Sequence, residues 1–296
     1  MRIAVLGAGS IGCLIAAKLV RDGHEVLVHA RGEHGATLAI RGLKITGEWN
    51  VEINPGEWTV SLDEAGIHDS LKKSFDQVII TCKTKDTSKL SEIAVMLTDG
   101  PVLSLQNGLG NHEILQQYVF ENSAVGVTTN AVKRLGPGEI EWVGKGNLRL
   151  GGPKGEHFVE LLRSLNAEYN EDVSSIIWRK LLINVAINPI AAICGVKNGE
   201  LSREPLLSQS ESTMLEAACV ARNLGINLPN DQELLQELHS VLHKTSENEC
   251  SMLADVKVGR ETEIDALCGQ VVSRGESLGV PTPLNSMLLS LIKTLR

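Results

Sequence analysis

The sequence predicts an α/β chain in which an N-terminal, doubly wound parallel sheet is followed by a second, all-helical domain. Three observations carry that expectation. Short, wholly apolar runs recur through the first half with helix-patterned segments between them, as in strands buried on both faces of a parallel sheet. The first of these runs leads straight into G-A-G-S-I-G at residues 7–12 and then into a helical pattern. From about residue 156 onward the apolar period becomes that of helices.

The elements follow in order. RIAVL (2–6) is the first strand, CLIAAKLVRDGH (13–24) a helix and EVLVHA (25–30) the second strand. After a polar, Gly-containing stretch come DQVIIT (76–81), PVLSL (101–105) and SAVGVT (123–128), each bounded by turn or charged residues. Residues 130–152, punctuated by G-P-G and G-K-G, read as antiparallel strands appended to that sheet. Polar NAEYNED near 165–172 divides a domain over 1–168 from one over 169–296. Asn230 with Glu233 predicts a capped helix start, and Thr282 with Pro283 predicts another. Gly225 and Gly279 sit where a left-handed residue ends a helix, each with a proline soon after. The longest apolar stretch, 181–196, is broken by Asn184, Asn188 and Pro189 and falls short of a membrane span. Pro189 is expected to kink or end its helix.

Composition narrows the function classes. A chain of 296 residues suggests two domains, and 43% hydrophobic with 22% charged residues is ordinary for a soluble globular protein. The net charge of −8, from 28 basic and 36 acidic residues, lacks the footprint of a nucleic-acid binder. Six cysteines form no C-x-x-C pair and read as buried thiols in a reducing compartment. Eight histidines show no ligand spacing, so no metal is expected. The N-terminal apolar run is too short for a secretory leader, which points to the cytoplasm.

The glycine motif carries the first chemistry. Gly7 permits a tight turn, Gly9 lets backbone approach a pyrophosphate, and Gly12 allows close packing of helix on strand. Ala8, Ser10 and Ile11 complete a loop whose helix start faces phosphates with free N–H groups. The second strand ends in Ala30 and Arg31, where an NAD enzyme usually has an acid. An arginine there can hold a 2′-phosphate, which favours NADPH; Glu33, two residues on, weakens the case slightly, and a solvated surface Arg is the alternative. Lys83 and Asn107 follow two further strands and so fall at the same sheet edge as Gly9 and Arg31. Read singly, the one is a surface lysine and the other a turn residue.

The second chemistry lies in IIWRKLLINVAINPIAAI (176–193). Lys180, Asn184 and Asn188 break this apolar run at i, i+4 and i+8 and share a helix face. Buried polar groups there are costly unless paired or functional, and a desolvated lysine can donate a proton near neutral pH. A water-facing stripe is the alternative, although such a face would hold more charge. Asn248, Ser251 and Glu263 are candidates too, with a helix cap for Ser251 and a helix-surface or first-turn acid for Glu263 as the plainer readings.

These residues resemble the ketopantoate reductase family along nearly the whole chain. The likeness rests on GAGSIG (7–12), CKTKD (82–86), QNGLG (106–110), GVTTNAV (126–132), WRKLLINVAINPIAA (178–192), NGEL (198–201), NxxSML (248–253) and TEID (262–265). It implies an N-terminal Rossmann-type domain, a helical second domain and an active site in the cleft between them. It also implies NADPH-dependent reduction of 2-dehydropantoate (ketopantoate) in pantothenate and coenzyme A synthesis. By the same likeness Lys180 is the general acid and Glu263 its catalytic partner. Asn184, Asn188, Asn248 and Ser251 contact substrate, Asn198 lies close by, and Asn107 and Lys83 sit by the nicotinamide and ribose. Ala254 departs from a glutamine common in the family. The alternatives are a reductase of another 2-keto acid and an NADPH sensor without turnover, the latter opposed by the presence of both Lys180 and Glu263. A structural interaction protein would leave GAGSIG and the polar stripe unexplained, and a monomer or homodimer is expected.

Overall fold

The computed structural model describes residues 1–295; Arg296, the last residue of the expected second domain, lies outside them. The chain divides into two compact units. One comprises Met1–Gln106 and Asn111–Val173; the other takes the tetrapeptide Asn107–Gly110 together with the chain from Ser174 onward.

The first unit runs β1 (Arg2–Leu6), α1 (Ser10–Arg21), β2 (Glu25–Ala30), α2 (Gly32–Ile40), β3 (Leu43–Gly47), β4 (Val51–Ile53), β5 (Thr59–Leu62), β6 (Gln77–Ile80), α3 (Thr87–Leu97), β7 (Val102–Ser104), α4 (Asn111–Val119), β8 (Ser123–Thr128), β9 (Ala131–Gly136), β10 (Glu139–Gly144), β11 (Leu148–Gly151) and β12 (Ala167–Tyr169). Eight strands form one sheet in the order β12-β11-β8-β7-β6-β1-β2-β5. All neighbours are parallel except β8 and β11. The apolar strands read from sequence lie in it with both faces covered, and Ile3, Val5, Val28, Ile79 and Leu103 are fully or almost fully buried. The strand order reverses between β1 and β6. That reversal opens a crevice at their carboxyl ends, the place where open α/β sheets take ligands.

Two expectations need correction here. The appended antiparallel region divides: β11 joins the main sheet, whereas β9 and β10 build a separate four-stranded sheet ordered β4-β3-β10-β9. The cause is that β10 pairs in parallel with β3, a strand hidden in a stretch that reads as polar from sequence. The helical pattern also begins later than residue 156. Residues 155–165 form 3-10 turns, β12 follows, and the unit ends at Val173 because β12 still pairs with β11.

The second unit contains α5 (Val173–Cys194, all but its first residue), α6 (Leu206–Asn223), α7 (Asp231–Lys244), α8 (Ser251–Lys257), α9 (Cys268–Leu278) and α10 (Pro283–Thr294). Helix α5 continues through Pro189 and does not end there. At 22 residues it is long and apolar enough to cross a membrane by length and composition. Its Leu182, Val185, Ala186 and Ala191 are fully buried in the helical core with Met214, Leu238 and Cys268. The capping pair opens α7 as read: Asn230 Oδ1 accepts from Glu233 N–H and Glu233 Oε2 from Asn230 N–H, both at 3.0 Å. At α10 the cap differs. Thr282 makes no side-chain cap, and the Glu216 carboxylate instead accepts from Leu284 and Asn285 N–H at 2.9 and 2.8 Å. Gly225 and Gly279 take the left-handed conformation expected of them, with φ of 79° and 67°. Of the six thiols only Cys13, Cys250 and Cys268 are buried; Cys194 and Cys219 are exposed.

Candidate active site

In the first unit the glycine loop is held by strict geometry. Gly7 has φ +103°, and a Cβ there would stand 2.7 Å from Cys82 N, so the turns after β1 and β6 approach as only glycine allows. A Cβ on Gly12 would overlap Gly7 O and Thr81 Oγ1. Gly9 differs, since a Cβ there would meet nothing within 4 Å. Helix α1 starts just after Gly9, without a side-chain cap and without an acid in its first turn. The first N–H to bond back along the helix is that of Cys13, to Gly9 O at 2.9 Å. The N–H groups of Ser10, Ile11 and Gly12 therefore precede the ladder at the positive end of the helix. Open space above Gly9, an uncapped helix start and a first turn without an acid fit a pyrophosphate.

Arg31 follows β2 and is the N-cap residue of α2. Its guanidinium is largely exposed and makes a two-pronged bond to Asp86, at 3.2 and 2.9 Å. The Asp86 carboxylate raises the Arg31 pKa still further. The next N–H, that of Gly32, donates to Glu64 Oε1 at 2.9 Å. Half-buried Lys83 ends the turn after β6 and starts a 3-10 turn over Thr84–Asp86. Gly9, Arg31 and Lys83 thus share the carboxyl edge of one sheet. Neither Asp86 nor Glu64 was visible as a site residue in the sequence. Asp86 is the last residue of the CKTKD motif, and Glu64 gives no signal at all.

Asn107 follows β7 but belongs by its contacts to the helical unit. Gln106, the last residue before it, is fixed in the first unit by bonds from its Nε2 to Thr87 Oγ1 (2.7 Å) and Cys82 O (3.1 Å). Asn107–Gly110 packs within the helical unit. Gly108 has φ +81°, and a Cβ on it would stand 2.5 Å from Ala266 O. Leu109 N–H donates to that same oxygen at 3.2 Å. The turn holding Ala266 begins at Glu263, whose carbonyl accepts from Ala266 N–H at 3.0 Å. The clamp brings Asn107 to the two chemically active groups. Lys180 Nζ donates to Asn107 Oδ1 at 2.7 Å, and Asn107 Nδ2 donates to Glu263 Oε2 at 3.4 Å. Burial lowers the Lys180 pKa from 10.5 to about 8, with the Glu263 charge partly opposing the shift. An ammonium poised near neutrality, oriented by an amide and backed by a carboxylate, can protonate an oxyanion.

The other candidates lie along α5 and beside it. Asn184 and Asn188 are half-buried and follow Lys180 at one-turn intervals of about 6 Å. Cys250, which caps α8 by accepting from Leu253 N–H, sits with its Sγ 3.6 Å from Asn188 O. The cap of α8 is therefore Cys250, and Ser251 is the exposed first residue of that helix. Asn198 N–H donates to Asn248 O and Asn198 Nδ2 to Thr245 Oγ1, each at 3.0 Å. Its Oδ1 is buried with no hydrogen-bond partner among the described residues. Asn248 is exposed.

Comparison with known proteins bears on this arrangement. Residues 3–155 match the family model described as ketopantoate reductase PanE/ApbA, and residues 172–296 match its C-terminal counterpart. A 2-dehydropantoate 2-reductase of Pyrococcus horikoshii is 35% identical, over 99% of this chain and 97% of its own. One from Archaeoglobus fulgidus is 32% identical with the same coverage. A crystal structure of a PanE/ApbA family ketopantoate reductase from Ralstonia eutropha superposes with a TM-score of 0.89 at 29% identity, covering 100% of this chain and 98% of that one. D-mandelate dehydrogenase, solved with NADH and anilino(oxo)acetate, superposes with a TM-score of 0.91 at 26% identity, with the same coverage. Matched by both family models and by full-length relatives above 30% identity, the chain belongs to the ketopantoate reductase family.

Proposed function

We propose that this protein is an NADPH-dependent 2-dehydropantoate 2-reductase whose general acid is Lys180. The observation that carries the reading is the bond from Lys180 Nζ to Asn107 Oδ1, at 2.7 Å, on an ammonium whose pKa burial lowers to about 8. The nicotinamide, when bound, supplies the hydride to the keto carbon. Lys180 stabilises the charge growing on the carbonyl oxygen and gives it a proton. Asn107 holds the ammonium in place, and Glu263 keeps it protonated and accepts a substrate hydroxyl. Asn184, Asn188, Asn198, Asn248 and Ser251 supply amide and hydroxyl groups suited to a hydroxylated 2-keto acid. Gly7, Ala8, Gly9, Ser10, Ile11 and Gly12 hold the pyrophosphate, Lys83 the ribose and Arg31 the 2′-phosphate. The protein acts in the cytoplasm as a monomer or homodimer.

The test is oxidation of NADPH at 340 nm with ketopantoate, run beside NADH and beside pyruvate and 2-ketoisovalerate. Ketopantoate-selective oxidation supports the reading. A second reading, reduction of a different 2-keto acid with NADH, is favoured by the likeness to D-mandelate dehydrogenase with its NADH. Phenylglyoxylate belongs in the panel for that reason. Lys180→Ala should remove most turnover while leaving cofactor binding largely intact; unchanged turnover would remove Lys180 from its role.

A further inference from the structure

We propose that Asp86, assisted by Glu64, restrains the preference for NADPH by holding the two donors that a 2′-phosphate needs, so that the protein also accepts NADH. The inference rests on the cofactor reading above and concerns residues of the first unit alone. Two donors stand at the end of β2, the Arg31 guanidinium and the Gly32 N–H at the start of α2. Both are engaged by carboxylates: Asp86 grips Arg31 through two bonds, and Glu64 accepts from Gly32 at 2.9 Å.

Asp86 is placed for this purpose. It is the N-cap residue of α3, where an aspartate ordinarily accepts from the helix's own N–H groups. Here its side chain makes no capping bond and turns to Arg31 instead. Its carboxyl is only 20% exposed against 59% for the guanidinium, so the acid is the fixed partner and the arginine the movable one. A 2′-phosphate dianion beside Arg31 meets the Asp86 charge as repulsion and must share or displace it. A 2′-hydroxyl meets the same carboxylate as a hydrogen-bond acceptor. One residue therefore acts in opposite directions on the two cofactors. Glu64 adds to this by occupying the N–H that would otherwise support the phosphate.

Isothermal titration of the full chain with NADP+, NAD+ and the fragment 2′,5′-ADP tests this without turnover. Asp86→Asn should tighten NADP+ and 2′,5′-ADP by about five- to tenfold, the effect of removing one charge about 6 Å from a dianion in a solvated site. It should leave NAD+ unchanged or weaker, and Asp86→Glu should restore the wild-type ratio. Glu64→Gln, at an exposed position, should move the ratio the same way by a smaller factor. In an Arg31→Ala background Asp86→Asn should still tighten 2′,5′-ADP, because the repulsion it relieves acts on the phosphate directly. An NADP+/NAD+ affinity ratio within twofold of wild type in Asp86→Asn overturns the inference, provided wild type binds the dinucleotides. Wild type that binds neither overturns the cofactor reading itself.

Discussion

The pH profile of kcat/KM is the sharpest consequence of the site. The cation must be present for Lys180 to act as an acid, so activity is lost as pH rises through its pKa. With that pKa near 8 in place of 10.5, only about 3% of molecules remain protonated at pH 9.5, against about 90% for an ordinary lysine. Two substitutions should move the break in opposite directions. Glu263→Gln removes the charge that favours the ammonium, so the break falls below 8. Asn107→Asp puts a full charge on the atom 2.7 Å from Nζ, so the break rises by about one unit even at the dielectric of water. The assay is NADPH oxidation at 340 nm with saturating cofactor and limiting keto acid, from pH 6.5 to 10. A flat profile to pH 9.5, or a break that neither variant moves, refutes Lys180 as the titrating acid.

Other outcomes follow from the same geometry. Lys180→Met should raise the melting temperature at pH 7 while removing activity. The depressed pKa means that the folded state carries the cost of desolvating the half-buried ammonium below pH 8 and sheds it between 8 and 10.5, so the gain shrinks over that window in thermal melts. Gly9→Ala and Gly12→Ala should separate binding from stability: the first meets open space and weakens cofactor binding with little change in melting temperature. The second overlaps Gly7 O and destabilises by about 1–3 kcal/mol; equal stability losses would contradict the distinction. Asn230→Ala should cost about 1 kcal/mol through the lost cap of α7, read by denaturant melts, with no change in cofactor affinity.

The parts legible in the sequence are those whose chemistry is local. The GAGSIG loop announces itself by its spacing between β1 and α1, although the contacts that forbid a side chain at Gly7 and Gly12 include Cys82 and Thr81 after β6, while Gly9 meets open space. The Lys180–Asn184–Asn188 face needs only the helical period. What stayed hidden depends on partners far along the chain. Strands β3, β4 and β5 are short and carry exposed polar residues such as Lys44, Glu52 and Thr59, so no apolar run announces them. Without β3 there was no reason to lift β10 from the main sheet. Cys250 displaced Ser251 as a cap because a thiol is not an expected capping group. Asp86 and Glu64 become meaningful only once α3 and the turn after β5 are brought to the end of β2.

Asn107 stands at a boundary between the two units that the sequence does not mark. By sequence it belongs to the strand before it and hence to the sheet edge with Gly9 and Lys83. Gln106 does remain there, tied to Cys82 and Thr87. One residue later the chain is committed to the helical unit, because Gly108 lies so close to Ala266 that no side chain fits between them. The amide that orients Lys180 is thus held by backbone contacts, independent of the Lys180 and Glu263 side chains it joins. On the proposed mechanism this arrangement would fix the ammonium before substrate arrives, the condition for a desolvated charge to lower a barrier rather than merely cost stability. It also makes Gly108 a sharper test than Asn107 itself. Gly108→Ala keeps every reacting side chain, yet should lower kcat and shift the acid pKa if orientation is what the tetrapeptide supplies.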